Sequence, residues 1–104
     1  MWAVLWNLWL NGNETKVISE LDFAWGPEPI SKLDKCSIYH NAGIVSENQK
    51  DYPLFFKGKY AGGIDPTNDP HLQVVLDNEE SKKYCVWHYA NELNKLKQKY
   101  NLNY

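Results

Sequence analysis

The chain has 104 residues, 43% of them hydrophobic and 23% charged, with a formal net charge of −2. That length fits one small domain spanning residues 1–104, able to bury roughly two-thirds of its unfolded surface, and the composition excludes a disordered chain. A slightly acidic balance without a basic block excludes any general electrostatic pull toward nucleic acid or an anionic membrane, so neither is an expected partner.

Taken in chain order, Trp2, Leu5, Trp6 and Trp9 fall at i, i+3, i+4 and i+7, which predicts an aromatic helix over residues 2–10. Asn11-Gly12 supplies its stop, because glycine enters the left-handed region cheaply. The apolar start reaches Asn7 without a basic flank, so it reads as neither a signal peptide nor a membrane span. Residues 15–25 alternate and predict a strand, with Val17, Leu21, Phe23 and Trp25 on the expected core face and Ile18, Glu20, Asp22 and Ala24 on the other. Gly26-Pro27-Glu28-Pro29 ends it, since proline cannot donate to a ladder.

A helical turn is expected near residues 30–34 and a strand over 36–40, with Cys36, Ile38 and His40 sharing a face. Residues 41–70 are rich in turn formers, and only Leu54-Phe55-Phe56 reads as a strand there. Residues 72–76 read as either a short strand or a lead-in turn. Asp77 with Glu80 has capping-box spacing, and Cys85, Tyr89, Leu93, Leu96 and Tyr100 then mark one face of a long C-terminal helix. The fold class is therefore α/β, or an α+β fragment: an aromatic helix, a small sheet of two to four short strands, and a long helix packed on it.

Several groups have the residue types that chemistry needs. Glu20 and Asp22, two apart in a strand, would project together. Such a pair binds a divalent cation, holds sugar hydroxyls or divides acid and base roles, or else forms a solvated polar face. His40 reads as a hydrogen-bonded structural histidine or as a ligand delivered to the Asn41-Ala42-Gly43 turn with its free amides. Lys57 and Lys59 flank Gly58, which suits a phosphate as well as an ordinary surface turn. His71 is expected to have no role, and His88 to be an interface residue. Cys36 and Cys85 have no CxxC partner, which excludes the usual zinc spacings and favours a reducing, cytoplasmic setting. Dinucleotide, Walker, HExxH and nucleophile-elbow motifs are absent from the sequence. Five tryptophans, seven tyrosines and three phenylalanines also suit a surface that holds a carbohydrate or a protein, as well as a ring-filled core.

The order of the aromatic helix, Glu20-Leu21-Asp22-Phe23-Ala24-Trp25, Ile38-Tyr39-His40-Asn41-Ala42-Gly43 and Phe55-Phe56-Lys57-Gly58 resembles the C-terminal half of GT-A-type glycosyltransferases. More narrowly, it is similar to a glycosyltransferase-like group of bacteria and large DNA viruses. The resemblance implies that His40 ligates a divalent metal, manganese or magnesium, and that Asn41, Gly43 and Lys57 hold the donor diphosphate. It also implies that Glu20 and Asp22 lie near the acceptor as catalytic residues. The nucleotide-sugar half, ending in an Asp-x-Asp motif, has no counterpart in this sequence. The chain thus reads as the acceptor-side, metal-histidine half of a nucleotide-sugar-dependent transferase, acting on a glycan acceptor and inactive alone. Its partner half would come from another chain or a homo-oligomer. The alternative is a non-enzymatic carbohydrate- or protein-binding module with an aromatic surface.

Overall fold

The computed structural model describes residues 2–100 and has the expected mixed α/β architecture. Three helices, α1 (Trp2–Leu10), α2 (Pro70–Asp77) and α3 (Cys85–Tyr100), accompany two strands, β1 (Phe23–Trp25) and β2 (Ile38–His40). Short 3-10 turns connect them. No described helix is long and apolar enough to cross a membrane.

The core lies where α2 and α3 meet residues 54–55. Leu54, Phe55, Leu72, Val75, Leu76, Val86 and Ala90 form one buried cluster. Helix α2 starts because Asp69 accepts the His71 amide at 2.8 Å while Pro70 fills the first turn, where its missing N–H costs nothing. Leu72, Val75 and Leu76 then fall on one face. Residues 72–76 are therefore helical, not a strand or a lead-in turn. The expected capping box is also replaced. Helix α2 ends at Asp77, and the Asn78 side chain accepts the backbone N–H of Ser81 at 3.0 Å.

Helix α3 begins only at Cys85, and its first amides are satisfied from outside. The Cys85 and Val86 N–H groups donate to the carbonyls of Glu28 and Gly26, both at 2.9 Å. That contact sets the helix against the sheet. Of its expected face, Cys85 is buried and Tyr89 and Leu93 pack against the core, while Leu96 and Tyr100 are exposed. Residues 54–56 form no strand, and the Leu54 amide donates to the Glu47 carbonyl at 3.3 Å. His71 Nε2 lies 3.3 Å from the Leu54 carbonyl and the Ser81 hydroxyl donates to Pro53, so side chains satisfy carbonyls that a ladder would otherwise need.

Strands β1 and β2 run parallel, with Phe23 opposite Ile38, Ala24 opposite Tyr39 and Trp25 opposite His40. The expected long strand over 15–25 is reduced to its last three residues, since Ser19–Leu21 form a 3-10 turn. Its faces are also reversed. Ala24 is fully buried, whereas Phe23 and Trp25 remain 37% and 39% exposed. The small side chain of Ala24 lets α3 approach closely, and the period of two then turns both large rings outward.

Helix α1 has the expected span and stop. The Gly12 and Asn13 amides donate to Trp9 and Leu8, and Gly12 takes a φ of 77°. None of its residues is buried. The radius of gyration is 16.8 Å, against about 13 Å for a compact domain of this length. The difference reflects α1 and the exposed residues 11–18 that carry it away from the core.

Candidate functional site: an aromatic cluster on the parallel pair

The outward face of the two strands brings three rings together. The Trp25 and His40 centroids lie 4.8 Å apart, Phe23 and Trp25 5.3 Å, and Phe23 and His40 5.9 Å. Ile38, 47% exposed, occupies the position opposite Phe23. The register accounts for the cluster, because residues 23, 25, 38 and 40 of an in-register parallel pair share one face.

The loop after β2 braces the cluster. The Ala42 amide donates to His40 at 2.7 Å, and the Gly26 amide donates to Ala42 at 3.0 Å. Gln49 clamps the turn by donating to the Gly43 carbonyl at 3.1 Å and accepting the Val45 amide at 2.7 Å. Asn41 is half-buried, and its Oδ1 accepts the Tyr39 hydroxyl at 3.1 Å. Burial pushes that hydroxyl pKa up, so Tyr39 stays a neutral donor. Gly43, at a φ of 90°, leaves only 2.8 Å between an added Cβ and the Pro27 ring. The close approach it permits is thus to Pro27 and the Trp25 edge.

The two carboxylates predicted from the strand pattern are not on a strand. Glu20 lies in the 3-10 turn, exposed, with its Oε2 accepting the Ser19 hydroxyl at 3.2 Å. Asp22 immediately precedes β1; it accepts the Phe23 amide at 2.9 Å and Lys32 Nζ at 3.3 Å. The Phe23 amide, then Lys32, hold its carboxyl below the usual carboxylate range. Both residues precede β1, while His40 ends β2, so in a parallel pair they sit at opposite ends of the ladder. Glu28, by contrast, reaches the cluster's backbone, accepting the Trp25 amide at 2.7 Å.

Lys57 is exposed on the 3-10 turn Lys57–Tyr60, and among the described residues no hydrogen bond or ion pair joins it to His40, Asn41 or Gly43. His40 is the one imidazole in the cluster, and no group of three or more His, Cys, Asp or Glu among the described residues is arranged to hold a metal ion. Hard divalent cations take several oxygen ligands, so the donors present here do not make a complete magnesium or manganese site. His88 is exposed and lines a shallow groove with Ile30, Leu33 and Asp34.

Sequence reasoning missed an ionic clasp. Lys59 lies 2.9 Å from both Glu47 and Asp69, and the Tyr60 hydroxyl donates to Asp69 at 3.2 Å. His71, expected to be idle, is half-buried between Leu54 and Glu47. The Asp69-Pro70 dipeptide was the available signal, as a helix start with a free carboxylate oxygen. Hydrogen bonding from Lys59 and then from the His71 amide lowers the Asp69 pKa, so the stabilisation it confers is complete above about pH 4 and is lost as pH falls through the lowered value. Asp69→Asn keeps a capping oxygen and removes the charge. We expect it to cost about 0.5–1 kcal/mol at neutral pH, and Asp69→Ala about 1–3 kcal/mol, in urea unfolding. The difference between wild type and Asp69→Asn should shrink below pH 4; a pH-independent difference would exclude the ionic part of the clasp.

No known protein family, curated protein or solved structure matches the chain.

Proposed function

We propose that this chain is a carbohydrate-binding module whose ligand site is the Phe23–Trp25–His40 face. The observation that carries the reading is the exposure of three clustered rings on a braced sheet face. Flat rings offer the C–H face of a sugar a large contact area at low entropic cost. The flanking charges argue for a neutral, hydroxyl-rich ligand. Asp22 precedes Phe23, Glu28 binds the Trp25 amide, and Lys32 is held by Asp22. Anionic ligands are disfavoured there, and hydroxyls find acceptors.

The test is binding to a glycan array followed by titration of the best glycan with tryptophan fluorescence. Trp25→Ala should weaken binding tenfold or more, equivalent to about 1.4 kcal/mol, in a variant that circular dichroism shows to be still folded, with a stability loss of about 1–2 kcal/mol because the 39% exposed ring also packs on Phe23 and His40. Absence of glycan binding by the wild type, or equal binding by Trp25→Ala, would sink the reading.

A second reading keeps the module within a glycosyltransferase. It draws on the position of His40, Asn41 and Gly43 at the carboxyl end of a parallel pair, where open α/β sheets bind ligands. Under it, His40 would contribute one metal ligand, Asn41, Gly43 and Lys57 would face a nucleotide-sugar, and Glu20 and Asp22 would lie on the acceptor side. The remaining metal ligands would have to come from another chain. A melting-temperature rise with Mn²⁺ and UDP that His40→Ala abolishes would favour this reading.

A further inference from the structure

The ring face on β1 and β2 is small, and the sheet beneath it sets its size. Each strand is three residues long. From first residue to last such a strand advances about 7 Å, beside a partner about 4.8 Å away. Phe23, Trp25 and His40 take three corners of that area, and Ile38 takes the fourth. No two of the ring centroids lie more than 5.9 Å apart. The ring planes are also tilted, by 56° between Phe23 and Trp25, 64° between Phe23 and His40, and 36° between Trp25 and His40. The three rings therefore make a tight triangle with no common plane. A run of linked sugars needs the opposite arrangement, with rings set at intervals along a line and turned the same way.

The surroundings do not extend the triangle. At the Phe23 end, Asp22 accepts the Phe23 amide and pairs with Lys32 at 3.3 Å. At the His40 end, Gly43 and Pro27 lie together beside the Trp25 edge. Among the described residues no fourth ring packs on Phe23, Trp25 or His40. Polar atoms on the triangle are nevertheless open to a ligand. The Trp9 and Trp87 indoles bond Thr15 and Leu76, and the His71 imidazole meets Leu54. Neither the Trp25 indole N–H nor the His40 imidazole has such a partner among the described residues.

We propose that this face holds a single neutral sugar unit, free or carried by a glycan, and not a run of linked sugars. The inference rests on the carbohydrate-binding reading above and names the class of ligand within it. One sugar covers the triangle, its C–H face on a ring and its hydroxyls within the reach of the indole N–H and the imidazole. A second linked sugar finds no further ring and adds little affinity.

Tryptophan fluorescence titration of the full chain tests the proposal. The probes are the methyl glycosides of glucose, galactose, mannose and N-acetylglucosamine, each against the tetrasaccharide of the same sugar: cellotetraose, galactotetraose, mannotetraose and chitotetraose. For the sugar that binds, glycoside and tetrasaccharide should have dissociation constants within about fivefold, an allowance for the statistical advantage of repeated units. Trp25→Ala and His40→Ala, each checked for folding by circular dichroism, should weaken both probes by the same factor, because both use the same rings. A larger gain with length, a substitution that weakens the tetrasaccharide alone, or binding to array glycans without binding to any glycoside would overturn the single-sugar site and leave the carbohydrate reading standing. Binding to no probe and no array glycan would remove that reading, and this inference with it.

Discussion

Replacing Phe55 by alanine should cost about 3–5 kcal/mol, the largest loss expected of any single side chain here. Phe55 is 2% exposed and lies between two rings, with centroids 5.4 Å from both Tyr60 and Tyr89. Its removal opens a cavity at the junction of residues 54–55, α2 and α3. A chain of this size has a stability margin of only about 5–15 kcal/mol in total, so the variant should unfold at a much lower urea midpoint with little change in slope. Phe55→Leu, which keeps most of the volume, should lose markedly less. The Tyr60 hydroxyl, pushed up to about 12 by burial and by Asp69, offers a second readout. In Phe55→Ala it should titrate nearer the ordinary tyrosine value, about 10. A midpoint within error of wild type would exclude residues 54–55 as the centre of the core.

The second large effect is expected at Gly43. Alanine there meets two separate costs, a φ of 90° and a Cβ placed 2.8 Å from Pro27. The first is worth about 1–2 kcal/mol and the second about 1–3 kcal/mol. Gly62 provides the internal control, having a φ of 87° with open space around its Cβ position. Gly62→Ala should therefore show the backbone cost alone. Gly43→Ala should show both and should also weaken glycan binding, because the displaced Pro27 and the Trp25 edge lie together against this glycine. Equal costs at the two glycines would mean that the loop yields freely and does not brace the ring cluster.

Much of the local structure was legible from residue spacing. The i, i+3, i+4 pattern located α1, glycine at position 12 located its end, and the aromatic and leucine spacing located α3. These signals are local, depending on hydrogen bonds and side-chain contacts within a few residues. The failures share a cause. Residues 15–22 have strand-like alternation, but Ser19–Leu21 turn so that the Ser37 amide donates to Asp22 and the Ser37 hydroxyl to Glu20. Asp77 and Glu80 have capping-box spacing, but α3 takes its first hydrogen bonds from Glu28 and Gly26, some sixty residues earlier in the chain. A distant partner outweighs a local preference of under about 1 kcal/mol per residue.

The candidate site divides in the same way. His40, Asn41 and Gly43 were recognisable as residues suited to a ligand loop, and they do lie at one end of the sheet. Glu20 and Asp22 were grouped with them by residue type, but the parallel register separates them, because matching chain directions put the start of β1 and the end of β2 at opposite edges. Lys59 appeared interchangeable with Lys57 until Glu47 and Asp69 were found to flank it.

By itself, the sequence of this protein determined that α1 and α3 form, that glycine stops α1, and that a net charge of −2 gives no general pull toward polyanions. Those properties follow from spacing and composition over a few turns. Only the tertiary structure decided that Ala24 faces inward while Phe23, Trp25 and His40 face out. Alternation defines two faces of a strand but does not say which one a helix will cover, and that choice was made by α3 anchoring its first amides on Gly26 and Glu28.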